Sequence, residues 1–179
     1  MNSEFVVRPA RERHVRDIVQ LIANGGADAH FNPDLGIDRE YIEQCRQSDL
    51  SQENMAKWHE RVAAQDSGQL INVALNGLGR VVGMHYSTMS GERRGSLRCV
   101  YVLNEYRGGG VGGVAQGLTD HALEWLGNDR DLDVMIATYN MPSRRFHERN
   151  GFTEPGDVIK MGKIPVQLWF RRAEFTEDA

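Results

Sequence analysis

The chain has 179 residues, two cysteines and a formal net charge of −4, a length that suits one domain able to bury a core without covalent staples. Cys45 and Cys99 are too few for a disulfide framework or a four-cysteine metal site, and the negative balance disfavours nonspecific nucleic-acid binding as a main role. No basic region followed by an apolar stretch opens the chain and no apolar run approaches membrane-spanning length. A cytoplasmic location is therefore expected, with no nucleic-acid or membrane partner.

Phe5-Val6-Val7-Arg8 reads as a first strand, ended by Pro9. Val15, Ile18, Val19 and Ile22 recur at helical spacing, and Gly25-Gly26 reads as the stop of that helix. Residues 27–50 read as a loop and a helix containing Tyr41, Ile42 and Cys45. Ser51 to Asn54 reads as a further helix start, followed by Met55, Trp58, Val62 and Ala63. Leu70 to Leu75 is a second strand, turned by the hairpin signal Asn76-Gly77. Val81 to Met89 and Ser96 to Leu103 are the third and fourth. Val111, Val114, Ala115, Leu118, Ala122, Trp125 and Leu126 form one helical stripe. Asp133 to Tyr139 is a fifth strand. Pro142 to Arg149 is a short helix, with proline suited to its first turn and Gly151 closing it. Val158 to Lys160 and Pro165 to Phe170 read as two final strands. The whole is a mixed α/β domain.

The segment Arg107-Gly108-Gly109-Gly110-Val111-Gly112-Gly113 lies between the fourth strand and the helical stripe. A glycine turn at a helix start lets backbone N–H groups converge on an anion, and the helix dipole favours negative charge there. A phosphate-bearing ligand is the expectation. Gly108, Gly110 and Gly113 satisfy the dinucleotide pattern G-x-G-x-x-G. That fold needs further βαβ units after its glycine turn, and only 66 residues follow Gly113. A P-loop is excluded because no Gly-Lys-Ser/Thr follows.

Arg107, Gly110 and Gly112 also satisfy R-x-x-G-x-G, which resembles the pyrophosphate loop of the GNAT N-acetyltransferase superfamily. Downstream, the run from Asn140 through Ser143, Phe146 and His147 to Gly151-Phe152 resembles that superfamily's second signature, N-x-x-A-x-x-(F/L)-Y-x-x-x-G-F. The resemblance covers Phe5 to Arg172. It implies one acetyltransferase domain over residues 1–179, with a central mixed, mostly antiparallel six- to seven-stranded sheet flanked by helices. It also implies a cleft where the fourth and fifth strands splay apart.

Acetyl-CoA is the implied cosubstrate, with no metal. Its pantetheine arm would lie in the gap against strand four around Val100, Tyr101 and Val102. Its pyrophosphate would rest on Arg107, Gly108, Gly109, Gly110, Val111, Gly112 and Gly113. In physical terms this is edge pairing plus an anion nest. Asn140 would bond the pantetheine or the reacting region, and Ser143 and Phe146 would line the lower wall. Asn140 also reads as a cap for the Pro142 helix, and Phe146 as core. Gly109 stands where the family often has a cation. His147 stands where the family's usual tyrosine protonates the leaving thiolate. Histidine titrates near neutral pH and could serve as general acid there, or only pack.

The implied reaction is direct attack of a neutral amine on the thioester. It is helped by a base acting directly or through water, and by a strand-four N–H near Val102 that steadies the oxyanion. His85, on the third strand, is the chosen base; Tyr101 and Glu105 lie nearby, and His59 and His30 are weaker choices. Where some relatives carry a strand-four glutamate, this chain offers Arg98.

From Ala27 to Asp66 nine acids face four bases. The plain reading of this acceptor-side helical segment, 27–66, is solvated helix faces; the functional reading is an acidic rim that attracts a cation. Gly151-Phe152, Met161-Gly162 and Leu168-Trp169, with Tyr41-Ile42 and Ser51 to Met55, resemble the bacterial spermidine/polyamine branch. The expected acceptor is a small, cationic primary amine. The competing expectation, motivated by His147 and Gly109, is an acyl-CoA-binding sensor with little turnover. Homodimerisation is common in the superfamily, and the final strands could pair across chains.

Overall fold

Strand alternation and helical recurrence sort the apolar side chains into two layers, one on each face of a single sheet. The structure is a computed structural model that describes residues 4–108 and 113–173. Gly109, Gly110, Val111 and Gly112 of the expected phosphate turn lie outside the described residues.

The elements run β1 (Phe5–Pro9), α1 (Val15–His30), α2 (Arg39–Asp49), α3 (Gln52–Ala63), β2 (Gln69–Asn76), β3 (Val81–Ser90), β4 (Arg94–Val102), α4 (Val114–Leu126), β5 (Asp131–Ala137), α5 (Met141–Arg149), β6 (Glu154–Met161) and β7 (Ile164–Arg171). The seven strands lie in the order β1-β2-β3-β4-β5-β7-β6. Every neighbouring pair is antiparallel except β4 and β5, which are parallel and joined through α4. A parallel pair needs such a crossover, whereas its antiparallel neighbours need only turns.

On one face Val15, Ile18 and Val19 of α1 and Trp58 and Val62 of α3 pack against Ile71, Val73 and Met84. On the other, Val114 and Leu118 of α4 cover Ala74, Val82 and Val102. Ala122 and Leu126 join Leu97, Leu132, Val134, Ile136, Phe152 and Trp169. The helix starts at Ser51 and Asn140 are capped as their chemistry suggests. Ser51 Oγ accepts from the Asn54 N–H at 3.2 Å, and Asn140 Oδ1 accepts from the Ser143 N–H at 3.1 Å.

The first helix corrects the sequence reading. It does not stop at Gly25-Gly26 but continues to His30. The reason is packing: a Cβ on Gly25 would stand 3.0 Å from Tyr101 Cδ1. The glycine is there for close approach of α1 to β4, not for a turn. β5 ends at Ala137, two residues short of the expected Tyr139, and β6 begins four residues earlier than expected, at Glu154.

Candidate functional site

The pairing of β4 with β5 is short. Arg94, Gly95, Ser96 and Leu97 pair with Asp131, Leu132, Asp133 and Val134, and then the register stops although both strands continue. A bond from Ser96 Oγ to Asp133 Oδ1, 2.7 Å, pins the closed end. Immediately beyond it β4 bulges. Tyr86 and Ser87 are consecutive on β3, but their partners are Cys99 and Leu97, so Arg98 is an extra residue. A bulge bends and twists its strand, and here it directs β4 away from β5.

The backbone of the freed stretch has a defined orientation. The Leu103 N–H donates to the Val82 carbonyl at 2.9 Å, toward β3. Successive residues alternate sides, so the amide groups of Val102 and Val100 turn toward the gap. Arg107 Nε donates to the Val102 carbonyl at 2.8 Å, from that same open side.

The gap is a cleft of about 590 Å³. Val100, Tyr101, Val102 and Arg107 line one wall, and Asn140, Ser143, Phe146 and His147 another. Eight of the expected site residues are thus brought together. Gly108 follows at φ +86°, a left-handed conformation that suits glycine, and Gly113 is the N-cap residue of α4.

His147 is 6% exposed, between the rings of Phe146 (5.2 Å) and Phe152 (5.7 Å). Burial pushes its pKa down to about 4, so the imidazole is neutral at physiological pH. Its Nδ1 has no partner among the described residues. A charged general acid, one form of the expectation for this residue, is disfavoured by that burial; the neutral N–H remains as a donor.

The structure does not bring His85 to the cleft. It is fully buried, and its Nε2 lies 3.0 Å from Ser87 Oγ. Burial foremost, with His121 adding, pushes its pKa down to about 3. His59 and Glu105 do not line the cleft either. The acids of segment 27–66 with described side chains also stay off its walls. Asp38 caps α2, Glu43 pairs with Arg46 at 3.3 Å, and Glu53 with Lys57 at 2.6 Å.

Other wall residues come from chain segments that carry no motif. His30 and Phe31 at the end of α1, Arg98 on the bulge and Tyr139 after β5 all line the cleft. Tyr139 Oη donates to the His30 carbonyl at 3.1 Å, tying α1 to the end of β5. Burial lowers the pKa of His30, and its Nδ1 has no partner among the described residues. Burial foremost raises the Tyr101 hydroxyl, and it pushes the Cys99 thiol up to about 12, so both stay protonated. Tyr101, His30 and Arg98 stand in the expected neighbourhood of the site, whereas no motif or spacing rule marks Phe31, Cys99 or Tyr139; their meeting depends on the sheet order.

Among the described residues no group of His, Cys, Asp and Glu is arranged to hold a metal ion, and no helix is long and apolar enough to cross a membrane.

A parallel strand pair that separates beside a bulge, ahead of a glycine-rich segment of sequence and the next helix, defines an acyltransferase cleft of the GNAT type. The profile of the Acetyltransferase (GNAT) family matches residues 37–152, and the chain belongs to that family. Its fold is similar to the PaiA N-acetyltransferase of Thermoplasma acidophilum solved with coenzyme A. That likeness has 16% identity and a TM-score of 0.71, covering 92% of this chain and 98% of that one. It is also similar to a ribosomal-protein-alanine N-acetyltransferase from Brucella melitensis, with 21% identity, TM-score 0.67 and coverage of 93% and 99%. A GNAT acetyltransferase from Streptococcus pneumoniae gives 19% identity, TM-score 0.64 and coverage of 94% and 98%. No curated protein matches the chain.

Proposed function

We propose that the protein is an acetyl-CoA-dependent N-acetyltransferase that acetylates a primary amine of a small acceptor by direct attack. The observation that carries this reading is the unpaired edge of β4 between Leu97 and Val102. An extended amide-bearing chain fits there as a pseudo-strand, taking the gap-facing amides of Val100 and Val102. The span suits the ligand: five residues of strand measure about 16 Å. The anion end belongs at Arg107, Gly108 and the start of α4, where a helix N-terminus favours phosphate. The donor supplies the acetyl group as a thioester.

The remaining steps fall to the protein's own side chains. His30 is kept neutral by burial and accepts the proton that the attacking amine sheds. A gap-facing β4 N–H nearer the Arg98 end, at Val100, donates to the carbonyl oxygen as charge builds there. His147 donates a hydrogen bond from its neutral N–H to the sulfur as the C–S bond breaks, and the released thiolate takes its proton from water. Asn140 holds the entry of α5 in place and presents Ser143 and Phe146 as the lower wall.

In this reading segment 27–66 forms the acceptor side through the end of α1, and the protein works in the cytoplasm. The expectation of a polycationic acceptor rested on the resemblance to the polyamine branch and on that segment's charge; the segment's described acids do not line the cleft. We also carry forward a homodimer. β6 is the outer strand of the sheet, and Val158, Ile159 and Met161 on it are exposed, an edge that a second copy would cover. Light scattering of the purified protein tests that. Amine-dependent release of CoA thiol from acetyl-CoA tests the activity.

A further inference from the structure

The charge of the cleft wall does not match a polycation. Among the described side chains Arg98 and Arg107 line it, no aspartate or glutamate does, and its histidines are held neutral by burial. The two arginines are at opposite ends. Arg107 bonds the Val102 carbonyl at the open end, next to Gly108. Arg98 stands on the bulge, one residue past the last β4–β5 pair. About 13 Å of strand separates Arg98 from Val102, and the Arg98 side chain is turned to Thr88, so it stays away from phosphates resting at Arg107. It sits at the end where the acyl group meets its acceptor.

Arg98 is also held for use. Its Nε donates to Thr88 Oγ1 at 3.1 Å, which fixes the plane of the guanidinium. Arg46, Arg144 and Arg172, by contrast, pair with Glu43, with Glu148, and with Asp131 and Glu154. Among the described residues no carboxylate pairs with Arg98. An exposed arginine fork with an oriented plane, in a cleft whose described side chains include no acid, suits a planar anion.

We infer that Arg98 receives a carboxylate carried by the acceptor, so that the preferred substrates are amino acids or other amines bearing a carboxylate beside the amine. This rests on the acetyltransferase reading above. The amine loses its proton and gains the acetyl group while the carboxylate stays on Arg98 unchanged. Its role is to position the acceptor nitrogen, and its effect is on selectivity.

The test measures kcat/KM for CoA-thiol release with a panel of α-amino acids, each against its decarboxylated amine, such as phenylalanine against 2-phenylethylamine and leucine against 3-methylbutylamine. Spermidine is the polycation control. The expected acid-to-amine ratio is at least about tenfold for the best pair. It collapses toward one in Arg98→Gln and survives in part in Arg98→Lys, which keeps the charge but loses the fork. A ratio near or below one in the unaltered protein, spermidine as the best acceptor, or a ratio untouched by Arg98→Gln would overturn the inference while leaving an acetyltransferase. No amine-dependent thiol release with any acceptor, alongside acetyl-CoA binding, would overturn the acetyltransferase reading and this inference with it.

Discussion

Leu97 and Val134 are the last paired residues of β4 and β5, and the cleft opens from that pair onward. The Ser96–Asp133 bond lies one step inside it and the Arg98 bulge one step outside. One end of the strand pair is therefore fastened and the other free, and every step of the proposed chemistry lies along the free part.

The close contact between α1 and β4 predicts a steric lever. Gly25→Val places a branched side chain where even a Cβ meets Tyr101, and Tyr101 lines the cleft. Overpacking of this kind costs about 1–3 kcal/mol. Isothermal titration should show acetyl-CoA affinity falling by about tenfold, with the fold retained by circular dichroism.

Gly108 sits at φ +86°, a region that costs a residue with a Cβ about 1–2 kcal/mol. Gly108→Val should weaken acetyl-CoA binding by distorting the turn after Arg107. Gly108→Asn, which tolerates that conformation better, should bind more tightly than the valine variant. Equal affinity in all three proteins would show that this turn does not hold the phosphates.

His147→Phe keeps a ring between Phe146 and Phe152 but removes the N–H. Turnover should fall by about a hundredfold, the low end of what a positioned acid or base supplies, with acetyl-CoA affinity nearly unchanged. His30→Gln should lower turnover in the same way. Stopped-flow or steady-state thiol release separates both effects from binding.

Burial also makes stability pH-dependent. His147 is held at about 4 and His85 at about 3, against an ordinary 6.5. As pH falls below 6.5 the unfolded chain takes up protons that the folded chain refuses. Their contribution is fully present above 6.5 and is lost progressively toward pH 4 and then 3. Urea midpoints should fall across that window, and His147→Phe should show a shallower fall between 6.5 and 4 than the unaltered protein.

The strands, the capped helices and the short helix of the second signature segment were legible because each depends on local chemistry. Ser51 caps α3 and Asn140 caps α5, and Val and Ile alternate along β5. Asn140, Ser143, Phe146 and His147 reach the cleft together because one short helix carries them. Non-local features were not legible. Gly25-Gly26 carries the composition of a stop, and only the packing of Tyr101 shows why the helix runs on. The bulge at Arg98 exists only in the register with β3. His85 lies on the expected strand, yet it is fully buried and bonded to Ser87 rather than lining the cleft. The acids of segment 27–66 show their count in the sequence but not their partners.

Acetyl transfer itself is tested by following CoA thiol and N-acetylated product together, with acetyl-CoA and a panel of primary amines. The expected result is amine-dependent thiol release matched one for one by N-acetylated product. Acetyl-CoA binding with no amine-dependent release would contradict the proposed activity, and would leave the cleft as a binding site for acyl-CoA alone.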